Sequence, residues 1–115
     1  MSEIKVVARF PEIQPEHLDE FRALAAEAVE GTRGEPGTLQ YDWYYSADGR
    51  QCVLLERYAS SEAVLAHAAN VSRKLRRMIE LGGRLELDVF GDPSPELQAA
   101  TAALGPRVFT FAHGL

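Results

Sequence analysis

Thr38-Leu39-Gln40-Tyr41-Asp42-Trp43-Tyr44-Tyr45, then Ser46-Ala47-Asp48-Gly49-Arg50, then Gln51-Cys52-Val53-Leu54-Leu55-Glu56-Arg57-Tyr58 follow one another without interruption. The outer runs are rich in aromatic and aliphatic residues and alternate with polar ones. The Asp-Gly between them supplies the positive φ of a tight turn, so the stretch predicts a β-hairpin. A two- or four-residue loop opposes Tyr45 with Cys52, Trp43 with Leu54, Tyr41 with Glu56 and Leu39 with Tyr58. Alternation then places Tyr41, Trp43, Glu56 and Tyr58 on one face. An aromatic floor holding a single carboxylate has the composition of a small-molecule site.

The flanks extend the pattern. Upstream, Glu35-Pro36-Gly37-Thr38 predicts a type II turn, with Pro at its second position and Gly at its third. Before it, Pro15 opens a helix whose apolar stripe is Leu18, Phe21, Ala25, Ala28 and Val29, ending at Gly31 and Gly34. Ile4 to Phe10, closed by Pro11, predicts the first strand. Downstream, Ser60 caps a helix in which Val64, His67, Ala68, Val71, Leu75 and Met78 recur at helical spacing, with a break expected near Asn70. This helix follows the hairpin at once and lays His67 over the aromatic face. Gly82-Gly83 ends it, Leu85, Leu87 and Val89 alternate as a fourth strand, and Ser94-Pro95-Glu96 starts a third helix to about Leu104. Arg107 to Ala112 predicts a last short strand.

The order is β-α-β-β-α-β followed by α-β, in one domain over residues 1–115. Its first six elements make an α+β, ferredoxin-like antiparallel sheet with both helices on one face. Gln40, Asp42, Tyr44, Val53, Leu55 and Arg57 fall on the other face. That face is too apolar for water and too polar for a core, which predicts a homodimer closing two sheets face to face into an α/β barrel. The trailing helix and strand are expected at that junction, on the partner's sheet edge.

Composition narrows the partners. The net charge of −5 speaks against nucleic acid as a general partner. No apolar run reaches membrane-span length, and the start lacks a signal-peptide pattern, so a cytoplasmic protein is expected. The single cysteine, Cys52, fits a reducing compartment. The sequence has no glycine-rich phosphate loop, and His17, His67 and His113 are too scattered for a metal set, so no cofactor and no metal are expected. Arg73-Lys74-Leu75-Arg76-Arg77 is the densest charge cluster: a solvated helix face, or a cation reaching an anionic ligand or a partner's acidic helix.

Glu35-Pro36-Gly37-Thr38, Tyr41, Ser46-x-Asp48-Gly49, Glu56-x-Tyr58-x-Ser60-x-x-Ala63 and Ala66-His67, in this order, resemble the antibiotic biosynthesis monooxygenase family of small dimeric α/β-barrel proteins. The resemblance spans about Ile4 to Phe90. It implies a homodimer with a pocket between sheet and helices in each subunit. It also implies oxidation of a quinol or phenolic molecule by O₂ without metal or flavin. His67 is then the candidate base. Glu56 is the candidate group that orients it, although the spacing equally allows a core histidine bonded to a backbone carbonyl or to Glu56. Tyr41, Trp43, Tyr58, Phe21, Val64 and Met78 are the candidate substrate-binding residues, while Arg9 has the wrong strand parity to face the pocket. A non-catalytic ligand-binding or stress-response barrel and a haem-degrading monooxygenase are the competing readings.

Overall fold

The structure, a computed structural model, describes residues 3–115. Ile4–Phe10 form β1, whose alternation buries Ile4, Val6, Ala8 and Phe10. A 3-10 turn over Pro15–His17 leads into α1, Leu18–Thr32. The helix runs through Gly31 rather than stopping there. Thr32 is buried and its hydroxyl donates to the Ala28 carbonyl at 2.7 Å, so tertiary packing holds the last turn against the glycine's entropic cost.

The hairpin is β2, Thr38–Tyr45, and β3, Cys52–Tyr58. Tyr45 opposes Cys52, Trp43 opposes Leu54 and Tyr41 opposes Glu56, as alternation predicts. The predicted pairing of Leu39 with Tyr58 is not formed: Thr38 opposes Tyr58, Gln40 opposes Arg57, and Leu39 is taken up in a bulge and half exposed. The preceding turn also differs from expectation. Thr38 N–H donates to the Glu35 carbonyl at 3.4 Å, but Gly37 does not have the positive φ of a type II turn. Glycine is required there by proximity, because a Cβ on Gly37 would stand 2.5 Å from the Ala63 Cβ.

That Ala63 lies in α2, Ser61–Gly82, whose cap is Ser60 accepting from the Ala63 N–H. The helix is continuous through Asn70, which spends its side chain on the Gly31 carbonyl instead of breaking the helix. Gly83, at φ 80°, terminates it. Then come β4, Glu86–Phe90, α3, Pro95–Thr101, a 3-10 turn over Ala102–Leu104, and β5, Arg107–Phe109.

The sheet order is β2-β3-β1-β4-β5, antiparallel through β4 and parallel between β4 and β5. The first four strands with α1 and α2 form the expected ferredoxin-like α+β unit. The tail departs from expectation: β5 is shorter than predicted and pairs with its own β4. Asp88 of β4 clamps it, accepting from Arg107 at 2.8 and 3.0 Å and from Arg9 of β1 at 2.8 Å. The Arg107 and Arg9 guanidiniums pull the buried Asp88 carboxyl down to about 2.

Phe10, Ile13, Phe21, Ala25, Leu54, Met78 and Leu81 form the main core between sheet and helices. On the opposite sheet face Tyr44 and Leu55 remain exposed. Among the described residues, no helix is long and apolar enough to cross a membrane.

Candidate functional site

Strand register assembles the floor of a cavity. One row across the sheet reads Val108, Val89, Val6, Glu56, Tyr41, and the next reads Leu87, Ala8, Leu54, Trp43. Ala8, small and central, leaves space beneath α2. The result is a cavity of about 270 Å³ roofed by Val64, His67, Val71, Lys74, Leu75 and Met78. Val64, His67, Val71, Leu75 and Met78 share one stripe because they recur every three or four residues.

Of the eight residues singled out from sequence, His67, Glu56, Tyr41, Trp43, Tyr58, Val64 and Met78 line this cavity. Phe21 does not. It is fully buried and packs edge-on against Phe10, Trp43 and Tyr45, so it supports the aromatic wall from behind. The position on α1 that faces the cavity is Ala28, about two helical turns further on.

His67 is 6% exposed and wedged between aromatic rings, with centroids 4.6 Å from Tyr41 and 5.4 Å from Tyr58. The expected partner, Glu56, does not hold it. Its Nδ1 lies 2.9 Å from Oε1 of Glu35, in the turn before β2. Glu35 also accepts from the Thr38 hydroxyl at 2.6 Å and from the Asn70 amide at 2.5 Å. Burial pushes the Glu35 carboxyl up, but these donors outweigh it, and the group stays below its ordinary value and charged. A carboxylate only accepts, so Nδ1 carries the hydrogen and donates. Burial lowers the His67 pKa below its ordinary value although Glu35 opposes the shift, so the ring is neutral at pH 7. A neutral imidazole protonated on Nδ1 presents the Nε2 lone pair. Among the described residues Nε2 has no hydrogen-bond partner.

Glu56 behaves oppositely. Flanked by Val6 and Tyr41 in its row, it accepts a single hydrogen bond from the Tyr58 hydroxyl. Burial raises its carboxyl to about 7, with the Tyr58 bond resisting. Burial, with the charges of Glu56 and Glu35, keeps the Tyr41 and Tyr58 phenols above their ordinary range and therefore protonated. The Trp43 indole N–H is buried without a partner among the described residues, an uncompensated cost at the cavity wall. Among the described residues no three His, Cys, Asp or Glu side chains converge as a metal set.

Two groups of residues escaped the sequence reading. Glu35, with Thr38 and Asn70 behind it, was legible only as turn and helix residues, because a contact 32 positions along the chain leaves no local periodicity. Pro93, Leu97, Gln98, Thr101 and Val108 of the tail line the cavity as well. The seat of β5 decides this, and no motif announces it.

A family model described as antibiotic biosynthesis monooxygenase matches residues 3–75. A candidate monooxygenase of Mycobacterium tuberculosis, Rv0793, is 42% identical over 66 residues, covering 57% of this chain and 64% of that protein's length. The solved structure of Rv0793 superposes with a TM-score of 0.70 and 33% identity, over 80% of this chain and 96% of that one. The structure of MupZ from Pseudomonas fluorescens superposes with a TM-score of 0.79 at 24% identity, over 99% of this chain and 93% of that one, a likeness of fold that includes the tail. Fold, register and a model match over most of the chain agree: the protein belongs to the antibiotic biosynthesis monooxygenase family.

Proposed function

We propose that the chain is a cofactor-independent monooxygenase that oxidises a planar phenolic or quinol-like molecule with O₂, with His67 as the base. The observation that carries this reading is the neutral imidazole, held through Nδ1 by the charged Glu35, in the roof of an apolar, aromatic cavity. Nε2 takes the substrate's hydroxyl proton. The electron-rich anion passes one electron to O₂, and the two radicals join carbon to oxygen. The proton held on His67 returns to the peroxide. Loss of the ring hydrogen with hydroxide, as water, leaves a carbonyl, so one oxygen atom enters the product and the other leaves as water. Tyr41, Trp43 and Tyr58 supply faces for a planar ring, and Val64 and Met78 close its edges. Glu56, its carboxyl raised to about 7, offers a second proton site within the same cavity.

The exposed Tyr44 and Leu55 on the far sheet face support a homodimer closed through that face, and the buried Cys52 is consistent with a cytoplasmic setting. The test is oxygen uptake with a reduced naphthoquinone. His67→Ala should lower the rate about 10²- to 10⁴-fold while circular dichroism stays native. The wild-type rate should fall on acidification only below the ordinary histidine pKa, since His67 holds its neutral form there. Uptake unchanged in His67→Ala would sink the proposal, and tight binding without turnover would leave a ligand-binding barrel.

A further inference from the structure

We infer that the substrate carries an anionic group, received by Lys74 at the mouth of the cavity and about two helical turns from His67. The inference rests on the reading of this cavity as the substrate site and adds the substrate's charge and orientation. The basic cluster of α2 divides into three fates. Arg73 and Arg76 are exposed. Arg77 is paired with Glu20 of α1 at 2.7 Å and with Glu80 at 2.9 Å. Lys74 is half-buried, lines the cavity, and makes no ion pair among the described residues.

Position along the helix orients the cavity. Seven residues separate His67 from Lys74, about 10 Å along the axis on the same stripe. The His67 end is blind, being walled by Glu56 and Tyr58, both buried. At the other end Lys74 lines the cavity while only half-buried, so the cavity reaches solvent beside it. The tail's polar side chains that line the cavity are already committed. The Gln98 amide donates to the Pro93 carbonyl at 3.0 Å, and the Thr101 hydroxyl donates to the Leu97 carbonyl at 2.9 Å. Lys74 thus brings uncommitted N–H donors and a full positive charge to that rim.

A lysine whose stem merely covers apolar wall would have the same exposure. The distribution of charge favours a ligand. Charged Glu35 stands behind His67 at the blind end, while Lys74 brings a cation to the other end. An anion is disfavoured deep in the cavity and favoured at its mouth. A substrate with a hydroxyl at one end of a planar body and a carboxylate at the other then enters hydroxyl-first, which presents that hydroxyl to Nε2.

The experiment is anaerobic titration calorimetry with 6-hydroxy-2-naphthoate, its methyl ester and 2-naphthol. The wild type should bind the acid about tenfold or more tightly than the ester, the scale of one charge-assisted hydrogen bond. Lys74→Met keeps the stem and should bring the two within about twofold by weakening the acid alone. Lys74→Arg should keep the preference, and Arg73→Gln should change it less than about twofold, because an exposed charge is screened. A preference that survives Lys74→Met, no preference in the wild type, or no binding of any of the three overturns the inference. Charge-selective binding without oxygen uptake refutes the monooxygenase reading and leaves Lys74 standing. Uptake at equal efficiency from acid and ester does the reverse.

Discussion

Glu35 and Glu56 stand on two sides of the same cavity end and are shifted in opposite directions. Depth separates them in part: Glu56 is buried and Glu35 only half-buried. Glu35 sits in a turn, where Thr38, His67 and Asn70 can all reach it from different elements, and three donors keep it charged. Glu56 sits inside a strand, whose backbone hydrogens are spent on the ladder and whose neighbours in the row are Val6 and Tyr41. One phenol is all it receives, and its carboxyl rises to about 7. Depth of burial and the number of donors, both set by the element a residue occupies, together decide which way a carboxylate shifts. The pair thereby gives the cavity a fixed anion behind the imidazole and a protonatable acid in its floor.

The largest expected effect comes from removing the charged member. Glu35→Ala strips His67 of the bond that sets its tautomer, and also of the one influence raising its pKa. Oxygen uptake should fall about 10²- to 10³-fold, the cost of losing a group that orients a base. Retention of full activity would show that the turn carboxylate is only structural.

The second effect concerns Glu56, the member whose carboxyl is raised. Glu56 binds its proton more tightly folded than unfolded, so its contribution to stability is complete below about pH 4.5 and is lost as pH rises towards 7. Glu56→Gln still accepts from Tyr58 but cannot ionise. Chemical denaturation of this variant should lack that decline, a difference from wild type of up to about 3 kcal/mol across the window. Parallel pH profiles for the two proteins would mean that Glu56 titrates normally.

The smallest effect tests how Glu35 is delivered. Gly37→Ala drives a methyl into Ala63 and pushes the turn off α2, costing about 1–3 kcal/mol. If proximity rather than backbone angle demands this glycine, adding Ala63→Gly should recover most of the loss. No recovery in the double variant would return the explanation to φ.

The hairpin was readable because period-two alternation and an Asp-Gly turn are local signals, and three of its four predicted cross-strand pairs form. The fourth failed at Leu39, where a bulge left no trace in the residue pattern. Seven cavity residues were legible for the same reason: face follows from parity in a strand and from spacing in a helix. Phe21 shared the apolar stripe of α1, and periodicity alone could not say that it stands behind the wall instead of in it.

By itself the sequence determined the α+β order, the aromatic face and the placing of His67 above it, because each depends on contacts or spacings within a few residues. Which carboxylate holds that histidine, which one has its carboxyl raised to about 7, and the walling of the cavity by the tail were decided only in three dimensions. Those outcomes depend on the distance between Glu35 and His67, on the donors around each carboxyl and on the seat of β5 beside β4. All three join segments far apart in the chain, and chain connectivity carries no record of such meetings.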